Sequence, residues 1–160
     1  RLTARTSGGP LVIANILTTT PEGEKPDIDC TRHHGCIVGK TAGVFFAIQT
    51  SPGAAFRTGG FETDARVLAW NGATVFAAAC TRLVRDGRLL VQSENPVTLE
   101  TNGSSMKCFS ETGGHITFQT PDASAKPVMN GRKGIPVRVD GMKMTTTLTI
   151  PKGENIIAFE

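Results

Sequence analysis

No window of the chain places apolar residues at i, i+3, i+4 and i+7 for three turns; short apolar or alternating segments recur instead between turn residues. The pattern predicts an all-β protein. Its strongest punctuation is a set of five pairs, Asn71-Gly72, Asp86-Gly87, Asn102-Gly103, Asn130-Gly131 and Asp140-Gly141. Each can hold both central residues at positive φ in a type I′ turn, whose twist matches the flanking strands. Each is read as a hairpin.

Placing these pairs at the loop gives definite registers. Around Asn71-Gly72, Trp70 faces Ala73, Leu68 faces Val75 and Val67 faces Phe76, which predicts a hairpin buried on both faces. Around Asp86-Gly87, Arg85 faces Arg88, Val84 faces Leu89 and Leu83 faces Leu90. The opposed arginines repel unless they meet solvent or an anion, and solvent at a hairpin tip is the simpler answer. Around Asp140-Gly141, Val139 meets Met142 and Val137 meets Met144, with the like charges Arg138 and Lys143 opposed on the other face.

Other segments fit the same scheme. Leu11 to Leu17 is a nearly continuous apolar run that predicts a core strand, and it leads into a polar loop from Pro21 to Asp29. Val44 to Gln49 reads as a strand stopped by Ser51-Pro52-Gly53. Near the end, Thr145 to Ile150 and Ile156 to Phe159 flank a Pro-Lys-Gly turn, which predicts a last strand antiparallel to its predecessor. Many short strands with tight hairpins and no helix between them predict an antiparallel β-sandwich. With 160 residues the chain suits one domain, 1–160, with no linker or repeat. It begins at Arg1, which suggests an excised piece of a larger protein.

Charge narrows the partners. Seventeen basic against fourteen acidic residues leave a net charge of +3, spread along the chain. That is thin beside the basic stripe of a nucleic-acid binder, so no nucleic-acid partner is expected. No run of eighteen apolar residues is present, and no membrane partner is expected. The chain contains no Tyr, so it cannot supply a phenol as proton donor.

Candidate chemistry is sparse. Cys30 and Cys36 bracket two histidines, but the spacing does not match a zinc knuckle, and a short disulfide loop or two plain thiols is the better reading. No metal or other cofactor is called for. His33 and His34 beside Arg32 could take up a carboxylate or sulfate, although adjacent side chains on an extended backbone point to opposite faces. His115 reads as a strand residue at a Gly-Gly turn. Glu62 and Asp64 share a strand face, and neighbouring Arg66 suggests an ion pair rather than a glycosidase pair. Trp70, the single tryptophan, is either a sugar-stacking platform or, more in keeping with its hairpin neighbours, a plug in the core or at its rim. No nucleophile elbow, phosphate loop, dinucleotide fingerprint or calcium loop is present.

Three stretches, Thr63 to Trp70, Leu83 to Leu99 and Val128 to Phe159 with its Asn-Gly, Asp-Gly and Pro-Lys-Gly turns, together resemble the C-terminal β-sandwich of heparinase II/III-like polysaccharide lyases. Members of that family join a helical toroid to a β-sandwich and bind an acidic polysaccharide between them. A neutralised uronic carboxylate lets a base, usually tyrosine or histidine, remove the C5 proton before the glycosidic oxygen leaves. The resemblance therefore implies a non-catalytic wall, inactive alone, partnered by the helical catalytic domain of the same parent chain and by the polysaccharide. It also implies a secreted or periplasmic location. Arg32, His33, His34 and Trp70 are the ligand-binding candidates, and no catalytic residue is assigned. The alternatives are a free-standing carbohydrate-binding module, resting on Trp70 and the scattered arginines, and a structural or adhesion domain with no ligand.

Overall fold

The computed structural model describes residues 28–160 apart from 34, 42, 52 and 123. Among the described residues the chain forms fourteen strands and no helix. The first seven are β1 (Ile28–His33), β2 (Cys36–Thr41), β3 (Val44–Gln49), β4 (Phe56–Thr58), β5 (Phe61–Thr63), β6 (Val67–Asn71) and β7 (Thr74–Arg85). Then come β8 (Arg88–Thr101), β9 (Ser105–Ser110), β10 (Gly114–Gln119), β11 (Pro127–Met129), β12 (Val137–Asp140), β13 (Thr145–Ile150) and β14 (Gly153–Phe159). The expected strand at 11–17 and the loop residues 21–27 lie outside the described residues. Ile28 to His33, expected within or beside that polar loop, is instead a strand paired with β2.

Hydrogen bonds join the strands into one antiparallel sheet, yet β7 and β8 each belong to two halves of it. Residues Thr74 to Ala78 pair with β6, whereas Leu83 to Arg85 pair with β5. Likewise Val97 to Thr101 of β8 pair with β9, and Val91 to Ser93 pair with β10. The long hairpin is thus shared by two arms. One carries β1, β2, β3, β6, β9, β14 and β11; the other carries β4, β5, β10, β13 and β12. Side chains from both arms meet in one apolar cluster, with Leu68, Leu99 and Ile157 from the first and Phe61, Leu83 and Ile116 from the second. Two sheet halves facing each other across a core, joined by strands that bend from one to the other, make an antiparallel β-sandwich. The expected fold class is the observed one.

Period-two alternation explains which side chains enter. A cross-strand row of the first arm runs through Ala47, Leu68, Ala77, Leu99 and Cys108, all at most 1% exposed. The next row outward on the opposite face includes Phe76, Glu100, Lys107 and Ile156, and there Phe76 and Ile156 are open to solvent.

At the bend the ladder breaks, because pairing steps from Ala77 with Leu99 to Cys80 with Val97 and then to Arg82 with Gln92. Ala79 sits at φ +50°, a left-handed conformation costing a non-glycine residue roughly 1–2 kcal/mol. Side chains take over the orphaned backbone groups. The Asp64 carboxylate accepts the Thr81 and Arg82 amides at 2.9 Å each and the Thr81 hydroxyl at 2.5 Å. The Thr98 hydroxyl accepts the Ala79 amide at 3.2 Å. On β8 the bend coincides with Pro96, which has no amide to leave unpaired.

The links from β9 to β10 and from β13 to β14 cross between the arms beside this bend. Asn95 Nδ2 donates to the Gly113 carbonyl at 2.9 Å, and the Gly113 amide donates to Ser110 Oγ at 2.9 Å. Buried Asn155 donates to the carbonyls of Pro151 and Gly153. The crossing corrects one expectation. The last strand β14 is not paired with β13; it lies between β9 and β11 on the other arm.

The hairpins divide in an instructive way. Asp86-Gly87 and Asn130-Gly131 have both residues at positive φ, as type I′ turns require. Arg85 does oppose Arg88 and Val84 opposes Leu89, but a bulge then sets Leu83 against Val91 rather than Leu90. The turn expected at Asn71-Gly72 falls on Gly72-Ala73, with only Gly72 at positive φ, the type II′ arrangement. Trp70 therefore faces Val75 and Leu68 faces Ala77, a slip of two that preserves the alternation of side chains, but the hairpin is buried on one face only, since Phe76 on the other is open to solvent. At Asp140-Gly141 the loop takes four residues, with Met144 at φ +52° and the Lys143 amide donating to Asp140 Oδ1. Val139 then faces Thr146, Val137 faces Leu148, and Arg138 faces Thr147 rather than Lys143.

Replacing Asp64 by Ala strands two amides and a hydroxyl at the bend. The expected cost is about 2 kcal/mol, a fall of roughly 4–8 °C in Tm for a chain of this size, read from thermal unfolding, with Asp64→Asn losing less because one acceptor oxygen remains.

Candidate functional site

The inward face of the first arm runs past the core to an open rim. One cross-strand row there is Asp29, Lys40, Phe45 and Trp70, contributed by β1, β2, β3 and β6. Thr41 pairs with Val44 across a two-residue turn, which sets Lys40 directly against Phe45. Together with Thr31 and with Thr58 and Gly59 of the β4–β5 turn, the row lines a groove of about 340 Å³.

Trp70 is half-buried, as expected of a rim plug. Its ring stacks on Phe45 with centroids 5.5 Å apart and 14° between planes, and meets the buried Phe61 ring at 5.2 Å and 51°. Gly59 makes room for it. A Cβ on Gly59 would stand 2.5 Å from Trp70 Cζ2, and the backbone there has φ +53°. Phe45 remains 41% exposed, with Lys40 Nζ 5.2 Å from its ring centroid. A cation held over an exposed ring is worth only about 0.5–1 kcal/mol, so an anionic ligand can draw the ammonium away from it.

Of the predicted ligand-binding residues, the structure brings only some together. His33 is on the same face of β1 as Thr31 and Asp29, roughly 6.6 Å beyond Thr31 at about 3.3 Å per residue, and pairs with Cys36. Arg32 pairs with Ile37 and lies on the opposite face. His34 lies outside the described residues. Phe45 and Lys40 were not picked out by sequence reasoning. The signal for them was the Gly43 turn, whose register fixes Lys40 opposite Phe45.

The remaining candidates have structural partners. Glu62 lies between the guanidiniums of Arg57, at 2.7 Å, and Arg82. Hydrogen bonds from Arg82 and then Arg57 hold its carboxyl below the usual range. These two arginines, not Arg66, form the ion pairs on this strand. Asp64 braces the bend. His115 is a strand residue, as expected, with Nδ1 3.1 Å from Thr149 Oγ1.

All four cysteines are free thiols. Cys30 pairs with Gly39 and Cys36 with His33, so the two side chains project from opposite faces of the β1–β2 hairpin and do not form a disulfide. Burial, with the Asp64 carboxylate adding to it, pushes the Cys80 thiol up to about 12. Burial alone pushes Cys108 up to about 11 and also raises Cys36. Cys30 is exposed.

No protein-family model matches the chain, and no curated relative is found for it.

Two outcomes follow for the thiols. In the native protein at pH 8 a disulfide reagent should modify Cys30 alone, the other three reacting only after denaturation, and Cys30→Ser should abolish the native reaction. Above the unfolded thiol range, near 8.5, the unfolded chain sheds thiol protons that the native fold retains. Stability from this source is therefore complete below about pH 8.5 and declines as pH rises towards 12, a slope that denaturant titration should show flattened in the double variant Cys80→Ala, Cys108→Ala.

Proposed function

We propose that this chain is a non-catalytic β-sandwich domain of a larger polysaccharide lyase of the heparinase II/III-like kind, secreted or periplasmic. Its rim groove helps to wall an acidic-polysaccharide cleft beside the helical catalytic domain of the same parent chain. The observation that carries the reading is the stacked Phe45–Trp70 pair flanked by Lys40 and Asp29 at the open rim. A pyranose has one apolar face, which suits an exposed ring such as Phe45. A uronate carboxylate or a sulfate suits the Lys40 ammonium. Sugar hydroxyls suit the Asp29 carboxylate and the hydroxyls of Thr31 and Thr58. His33, further along the same strand face, extends this polar border.

The stack also favours a second reading, a free-standing carbohydrate-binding module, which needs the same groove but no partner domain. The two part on affinity. A module binds glycans tightly alone, whereas one wall of a two-domain cleft binds them weakly until the helical domain is joined to it.

The test uses the single tryptophan, adjacent to the groove. Adding acidic oligosaccharides should change Trp70 fluorescence, and Phe45→Ala should weaken the response about tenfold, equivalent to ~1.4 kcal/mol. No ultraviolet-absorbing unsaturated product should accumulate on heparin, alginate or chondroitin. A fluorescence signal indifferent to every glycan would remove the groove from the argument, and an unsaturated product would remove the non-catalytic role.

A further inference from the structure

The outer face of the second arm carries a wider depression of about 780 Å³. Its floor is a straight cross-strand line of polar side chains, Gln92 on β8, Thr117 on β10 and Thr147 on β13, with the two threonine hydroxyls 2.7 Å apart. One bank is the tip of the β7–β8 hairpin, with Arg88. The other is the β12–β13 hairpin, with Arg138 and with Lys143, whose ammonium lies 3.6 Å from the Asp140 carboxylate.

The charge along these banks is unbalanced. Three cations and one carboxylate line the depression. Among the described residues neither the Arg88 nor the Arg138 guanidinium has a hydrogen-bond or ion-pair partner, whereas those of the neighbouring arginines do. Arg82 is held by Glu62. Arg85, directly opposite Arg88 in the hairpin, turns its guanidinium over the Phe61 ring at 5.2 Å and donates to the Gly72 carbonyl. The repulsion built into that hairpin is thus relieved on one side only, leaving Arg88 to the depression.

We propose that this face is a binding groove for an acidic polysaccharide, with Arg88 and Arg138 gripping successive carboxylate or sulfate groups and the Gln92, Thr117 and Thr147 floor meeting the hydroxyls between them. Guanidinium forks bind both anions in bidentate fashion. The spacing selects a chain over a free ion. Three strand intervals of about 4.8 Å and about four residues of about 3.3 Å along β8 put the two arginine backbones on the order of 19 Å apart, so an extended chain meets both guanidiniums as they stand on opposite banks, whereas a small anion meets both only if the two side chains converge on it. The floor selects a glycan over a nucleic acid, because amide and hydroxyl groups line it where base binding needs exposed rings to stack on. The rim groove lies on the inward face of the other arm, so this site stands whether or not that one binds sugar.

The experiment is a calorimetric titration of the full chain with a heparin-derived oligosaccharide, an oligogalacturonate, inorganic sulfate and a single-stranded DNA of matched charge. At least one of the two glycans should bind, more weakly as salt is raised, and sulfate alone should bind negligibly. Arg88→Ala with Arg138→Ala should weaken glycan binding at least tenfold while leaving the unfolding temperature unchanged, and Arg88→Lys with Arg138→Lys should recover only part of it. Phe45→Ala and Lys40→Ala report on the rim groove and should leave this binding component intact. The proposal is overturned if neither glycan binds, if the double alanine variant binds as tightly as the parent, or if the DNA binds as tightly as the glycan and is lost with the same arginines.

Discussion

The bend in the β7–β8 hairpin is the constraint on which the sandwich rests. Two strands of twelve and fourteen residues could pair along their whole length as an extended ribbon, but such a ribbon would leave both of its faces in water. Bending it in the middle folds one half of the sheet over the other and buries the alternate side chains of each. The cost is a break in the ladder and one alanine in a left-handed conformation. A few short polar side chains, Asp64 and Thr98 among them, offset it by receiving the amides that the bend strands. They are partly or wholly shielded from solvent, where an unmet amide is expensive.

Because each arm has an inner and an outer face, the same alternation that builds the core also distributes chemistry. Where the inner face outruns its cover, Phe45 and Trp70 come to the rim. Where the outer face of the second arm turns to solvent, the Gln92, Thr117 and Thr147 line is displayed. Neither grouping is contiguous in sequence; each is assembled across three or more strands. A flat array of side chains on paired strands is well suited to an extended, repetitive ligand, since each strand interval offers another contact at a fixed distance.

The all-β character and several turn positions were legible in the sequence, because turn chemistry is local and alternation has period two. The register was less so. A slip of two residues, as at Gly72-Ala73, preserves every face and therefore leaves no trace in the hydrophobic pattern. The longer loop after Asp140 depends on a side-chain hydrogen bond to Lys143 that composition does not announce. The misplacement of β14 has another origin. A Pro-Lys-Gly turn says that the chain changes direction but not that it changes layer, and only the packing of β9 and β11 settles which edge receives the strand. Trp70 was legible as a rim residue. Its partners Phe45 and Lys40 were not, since their importance comes from a neighbour two strands of chain away.

The shared hairpin also bears on the order in which the fold can assemble. Closing its two-residue turn costs little chain entropy, whereas seating β14 beside β9, or β13 beside β10, must first close loops of tens of residues. A hairpin that forms early and bends supplies a template with two free edges in each layer, since β7 and β8 each pair with one strand of either arm. Kinetically, then, the element that unites the finished architecture is also the one best placed to be its nucleus.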